Sequence, residues 1–125
     1  LRREFHVQLR QPHVDLRYWM SSLGRKGGLK SIQKTFREVP QRKSMDIDGY
    51  DAVRLWNLHR HAIPNALETL LTYNAEDTLV LEHLVYCGLN LEAERHRELG
   101  LPVYALPKKR EIPYEVCPNV YRMLR

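Results

Sequence analysis

The sequence predicts a mostly helical chain. It reads either as a helical bundle or as the helix-rich piece of an α/β domain whose sheet lies mostly upstream of Leu1. Three observations carry this expectation. Several segments repeat apolar residues at helical spacing, whereas only Val14 and Leu16 alternate with polar neighbours as a strand would. The longest segment, Pro64 to Gly88, reads as helix from end to end. The chain also opens at Leu1-Arg2-Arg3-Glu4-Phe5 without a methionine, in what looks like mid-helix, as part of a longer protein would. With 125 residues, 43% hydrophobic and 28% charged, there is enough chain for one core.

Residues 1–11 look like the end of a helix, closed before Pro12. The stretch from His13 to Met20 begins as a short strand or runs on as helix through Leu23, where Gly24 stops it. Arg25-Lys26-Gly27-Gly28 is a flexible basic turn, and a helix follows from about Leu29 to Phe36. Val39 to Gly49 is a polar connection, and Tyr50 to His61 a further helix. In the central helix Asn65 and Glu68 have the spacing of a capping box, and Gly88 is the expected stop. A shorter charged helix, about Leu91 to Leu99, ends at Gly100 and Pro102. Residues 1–101 form the expected domain portion. Residues 102–125 hold four of the seven prolines and the run Lys108-Lys109-Arg110, and read as an extended basic tail or linker.

No stretch is long and apolar enough for a membrane span, and no secretory signal is visible. Cys87 and Cys117 form no CxxC pair, so a reduced, cytoplasmic compartment is the simplest expectation. The net charge of +5 favours a polyanionic partner. The turn Lys26-Gly27-Gly28 and the first residues after it, with Lys30 and Lys34, suit phosphates seated on backbone amides at a helix N-terminus; a solvated basic loop is the alternative. His59 and His61 fit a helix end better than a metal pair, and Trp19 and Trp56 are expected in the core.

The chemistry concentrates at Tyr73-Asn74-Ala75-Glu76-Asp77. On a 3.6-residue period Leu67, Leu70, Asn74, Asp77, Leu81 and Leu84 share one stripe, which places an acid on an otherwise apolar face. Such an acid costs several kcal/mol unless it is paired, hydrogen-bonded or bound to a cation. Tyr73 precedes Asp77 by four residues, so phenol and carboxylate point the same way. The plain alternative is a tyrosine at the core edge and an aspartate paired with a lysine or arginine.

Tyr73 to Val80 resembles the third motif of the DEDD exonucleases of the tyrosine variant, which have a ribonuclease H-like fold. His13 to Tyr18, Leu23 to Lys30 and Asp48 to Trp56 resemble the YprB-like branch of these predicted 3′–5′ exonucleases, in the same order and at similar spacing. The resemblance covers about residues 1 to 86. It implies a ribonuclease H-like α/β domain, incomplete here and therefore mostly helical with at most one or two strands. It further implies two-metal phosphodiester hydrolysis with Mg²⁺ or Mn²⁺, Asp77 as a metal ligand and Tyr73 positioning the attacking water. The implied substrate is nucleic acid, as a single strand or a 3′ end. The family's acid-x-acid strand and its asparagine-led aspartate have no counterpart here and are expected before Leu1. Asp15 is a secondary candidate as ligand, against the reading of an aspartate that caps a turn. On this view the chain alone is inactive, and an exposed apolar face would let it self-associate. The rival expectations are a non-catalytic nucleic-acid-binding or scaffolding domain and a small helical interaction module.

Overall fold

In a computed structural model, residues 5–44 and 46–125 are described. The expected helix end at residues 1–11 lies partly outside them; from His6 to Val14 the backbone follows no regular element. The helices are α1 (Leu16–Ser22), α2 (Leu29–Lys34), α3 (Gly49–Arg60), α4 (Ala66–Arg95) and α5 (Pro118–Met123), with a 3₁₀ turn at Arg97–Leu99 between the last two. No strand forms among the described residues, so the short strand at His13 gives way to the helical alternative. The reason is local. The Asp15 carboxylate accepts the backbone N–H groups of Arg17 at 3.0 Å and Tyr18 at 3.3 Å, capping α1.

The 30-residue α4 is the spine. Toward its C-terminal end Val80, Leu84 and Cys87 pack with Met20 of α1, Ile32 of α2, and Phe36 and Val39. Toward its N-terminal end Ala66 and Leu70 pack with Leu55 of α3, Ile47, and Val120 and Leu124 at the C-terminus. Two apolar clusters thus share one helix, and residues 73–77 lie between them.

Both expected ends of the central helix are corrected. Asn65 sits at φ 64° and makes no side-chain cap, so the capping box with Glu68 does not form and the helix starts at Ala66. A box does form one helix earlier, where Asp48 and Asp51 exchange backbone and side-chain bonds at the start of α3. Gly88 does not stop α4, and the separate helix expected after it is the last stretch of the same one. The glycine answers a packing demand. A Cβ there would lie 2.7 Å from Trp19 Cη2, inside the hard-contact limit. The Trp19 indole N–H reaches on to Glu92 at 3.0 Å, so Trp19 is a packing residue. Trp56 is not. It remains 48% exposed beside Tyr50 and Val53 on the outer face of α3.

From Leu101 to Val116 the chain is extended, as its prolines require, and runs back along α4. The Asn90 side chain clamps Tyr104: its Oδ1 accepts the Tyr104 N–H at 2.7 Å and its Nδ2 donates to the Tyr104 carbonyl at 2.8 Å. Further along, the Cys117 N–H donates to Thr69 Oγ1 at 3.1 Å. The end of this strap is a core element, because Val120 and Leu124 are 2% and 3% exposed. Among the described residues no helix is long and apolar enough to cross a membrane.

Candidate functional site

At the middle of α4 the burial pattern departs from the expected stripe. Asn74 is exposed, Leu81 is 40% exposed, and the Asp77 side chain keeps 32% of its surface. The buried face runs instead through Leu70, Glu76, Val80, His83, Leu84 and Cys87. The shift of the face has a consequence for the chemistry. The acid that the core side must satisfy is Glu76, at 9% exposure, and Asp77 stands at the edge.

Glu76 is satisfied by a turn of the 39–48 connection. Its carboxylate accepts the backbone N–H of Lys43 at 2.6 Å, the backbone N–H of Ser44 at 3.0 Å, and the Ser44 hydroxyl. Three donors on one carboxylate, with Ser44 itself fully buried, fix this turn against α4. The clasp carries Arg42 into place. Its guanidinium Nη2 donates to Asp77 Oδ1, its Nε lies 3.9 Å from Glu76 Oε2, and its side chain is only 7% exposed.

Tyr73 completes the cluster. Its ring is flanked by Lys30 Nζ at 5.4 Å and by the Arg42 guanidinium at 5.9 Å from the centroid. Burial, and then the adjoining Asp77 carboxylate, push the Tyr73 phenol above its ordinary pKa, so it is a neutral O–H donor at pH 7. Lys30 is lowered, first by burial and then by Arg42, while Asp77 pulls the other way.

The fold therefore brings together Tyr73, Asp77 and Lys30. Lys34, one turn after Lys30 on α2, lines a small cleft of about 50 Å³ in common with Lys30 and Arg42. Lys26 and Gly27 stand exposed in the turn before α2, where Gly27 takes φ 110°, and Gly28 is the N-cap of α2. Arg25, from the same basic stretch, is turned back onto the Phe36 ring at 4.7 Å. Asp15 is placed as the exposed cap of α1. Among the described residues no group of three or more His, Cys, Asp or Glu side chains is disposed to hold a metal ion. The partner that Asp77 has among them is Arg42.

Arg42 and Glu76 were not singled out from sequence. Arg42 lies in a connection without periodicity, and nothing in its neighbours says which acid it meets. Glu76 shares its face with Thr69, Thr72, Val80, His83 and Cys87, spaced three or four apart, and because much of that face is polar, hydrophobic periodicity does not mark it as buried.

The family model of the RNase H superfamily matches residues 1–87, which include α1 to α3 and the part of α4 that carries Tyr73 and Asp77. No curated protein and no solved structure matches the chain. The match spans well over half of the sequence and contains the whole cluster just described: the chain belongs to the RNase H superfamily.

Proposed function

We propose that this chain contributes Tyr73 and Asp77 to a metal-dependent 3′–5′ exonuclease of the DEDD tyrosine-variant, YprB-like kind that acts on nucleic-acid ends. The observation that supports this reading best is the cluster itself: a neutral tyrosine and a half-exposed aspartate one helical turn apart, flanked by two cations. Nuclease chemistry needs a group that orients water or a phosphate oxygen, and cations that offset phosphate charge. Tyr73 can orient such an oxygen through its O–H, and Lys30 and Arg42 can neutralise the phosphate beside it.

The described residues do not by themselves fit a two-metal centre. They hold no cluster of acids, and Arg42 engages the Asp77 carboxylate. Asp77 as one ligand of Mg²⁺ or Mn²⁺ is thus a proposal that requires further carboxylates beside it, and no step is drawn through the metal. The same two facts favour a second reading, a ribonuclease H-like domain that binds nucleic acid without cutting it.

Incubating a protein in which this chain stands beside those further carboxylates with a labelled single strand and Mn²⁺ separates the two. The exonuclease reading expects mononucleotides released stepwise from the 3′ end. Retention of the intact strand in a stable complex, with no release, rejects that reading in favour of the second.

A further inference from the structure

We propose that Lys30, Lys34 and Arg42 form a seat for one phosphate group of a nucleic-acid strand. The nucleic-acid identity of the ligand rests on the function proposed above; the seat itself rests on the geometry.

The three cations line one cleft of about 50 Å³, with Asp46 as the acid on its wall. In this measure one water molecule needs about 10–15 Å³, so the space holds a few water-sized groups, the scale of a single phosphate. The Asp46 carboxylate is itself engaged, accepting the Tyr121 hydroxyl at 3.1 Å. With three cations against this one acid on the lining, charge in the cleft favours an anion.

Arg42 is the anchor. Asp77 holds its Nη2, and the Glu76 clasp fixes the backbone on either side of its neighbour Lys43. Yet its Nε and Nη1 are buried without a hydrogen-bond partner among the described residues. A buried N–H without an acceptor costs about 1–3 kcal/mol, which a phosphate oxygen would relieve. A guanidinium held at Nη2 by Asp77, with Nε 3.9 Å from Glu76 Oε2 and Nη1 unpartnered among the described residues, is preorganised for an oxyanion. Lys30 and Lys34 stand four apart on α2 and so project from one side of it toward the same cleft. Asp77 then has a role that needs no metal: it is the positioning residue that aims Arg42. Lys108, an exposed cation on the strap, does not line the cleft and serves as the control.

The test follows the Arg42 Nε–H resonance while the protein is titrated with inorganic phosphate, thymidine 5′-monophosphate, or a short single-stranded oligonucleotide. Fluorescence anisotropy gives the strand's affinity in parallel. The proposal expects all three ligands to shift that resonance. Lys34→Gln should weaken strand binding by about threefold to tenfold and reduce the salt slope by about one, while Lys108→Gln leaves the Arg42 response intact. Arg42→Lys, which keeps the charge and loses the fork, should weaken binding by about tenfold. If that variant does not fold, Lys34→Gln decides, since Lys34 is exposed. An Arg42 resonance unmoved by any of the three ligands, or a Lys34→Gln protein that binds as the parent does, overturns the seat. A response to free phosphate but not to the strand overturns its assignment to nucleic acid. Absence of nucleotide release when the further carboxylates are present, with the Arg42 response intact, counts against the exonuclease reading and leaves the seat standing.

Discussion

The Glu76 carboxylate accepts both the backbone N–H of Ser44, at 3.0 Å, and the Ser44 hydroxyl. This pair ties the 39–48 connection to α4 at the one level where the two apolar clusters leave a gap. Glu76→Ala leaves the part-buried N–H of Lys43 and the buried N–H and hydroxyl of Ser44 without an acceptor. It is expected to cost about 2–4 kcal/mol in denaturant unfolding. Asp77→Ala, at a half-exposed position, is expected to cost less. Equal costs would mean that Asp77 is the structural acid after all.

Gly88→Ala sets two effects against each other. Helix propensity favours alanine by about 1 kcal/mol in a helix interior. The new Cβ would meet Trp19 ring atoms at 2.7 and 2.9 Å, and overpacking of this kind costs about 1–3 kcal/mol. The clash is with a rigid ring that is also tethered to Glu92, so a net loss is expected. Thermal unfolding of Gly88→Ala in the Trp19→Leu background provides the check. There the substitution should become neutral or stabilising, a coupling visible as non-additivity.

Val120 and Leu124 are tested by truncation to alanine. Each is nearly fully buried against Ile47, Leu55, Ala66 and Leu70. Leu124→Ala should cost about 2–4 kcal/mol. A cost near zero would return residues 118–125 to the status of a dispensable tail.

Burial pushes the Cys87 thiol up from 9.0 to about 11. Native protein at pH 8 should therefore resist alkylation at Cys87, while half-buried Cys117 reacts first. The linkage has a definite sign. The folded state holds the Cys87 proton more tightly than the unfolded chain, so its contribution to stability is intact below pH 9 and declines as pH rises toward about 11. Comparing the parent with Cys87→Ala across that window isolates the effect. An identical pH slope in both proteins would contradict it.

Much of the helical layout was legible because periodicity and capping chemistry are local. The stretch from Leu29, the helix before His61 and the extended Pro-rich strap lie close to where their residues place them. The errors share one cause, tertiary contact. Gly88 carries a stop signal in the sequence, but Trp19 occupies the space a side chain would need. Asn65 and Glu68 have capping-box spacing, but the chain turns left-handed at Asn65. Trp56 has core composition, but no element covers the outer face of α3 among the described residues. At the site, the sequence singled out Tyr73 and Asp77 and the neighbouring Lys30, while Arg42 comes from a stretch whose position depends on Glu76. A one-residue rotation of the buried stripe separates the acid that folds the chain from the acid that faces the cleft.

The most direct measurement is the rate of mononucleotide release from a 3′-labelled single strand with Mn²⁺, in a parent protein that joins this chain to the further carboxylates and in its Asp77→Asn variant, with strand affinity measured on the same samples. The account predicts release from the parent and loss of at least about a hundredfold in the variant, with folding retained. Undiminished release by a folded Asp77→Asn protein would contradict it.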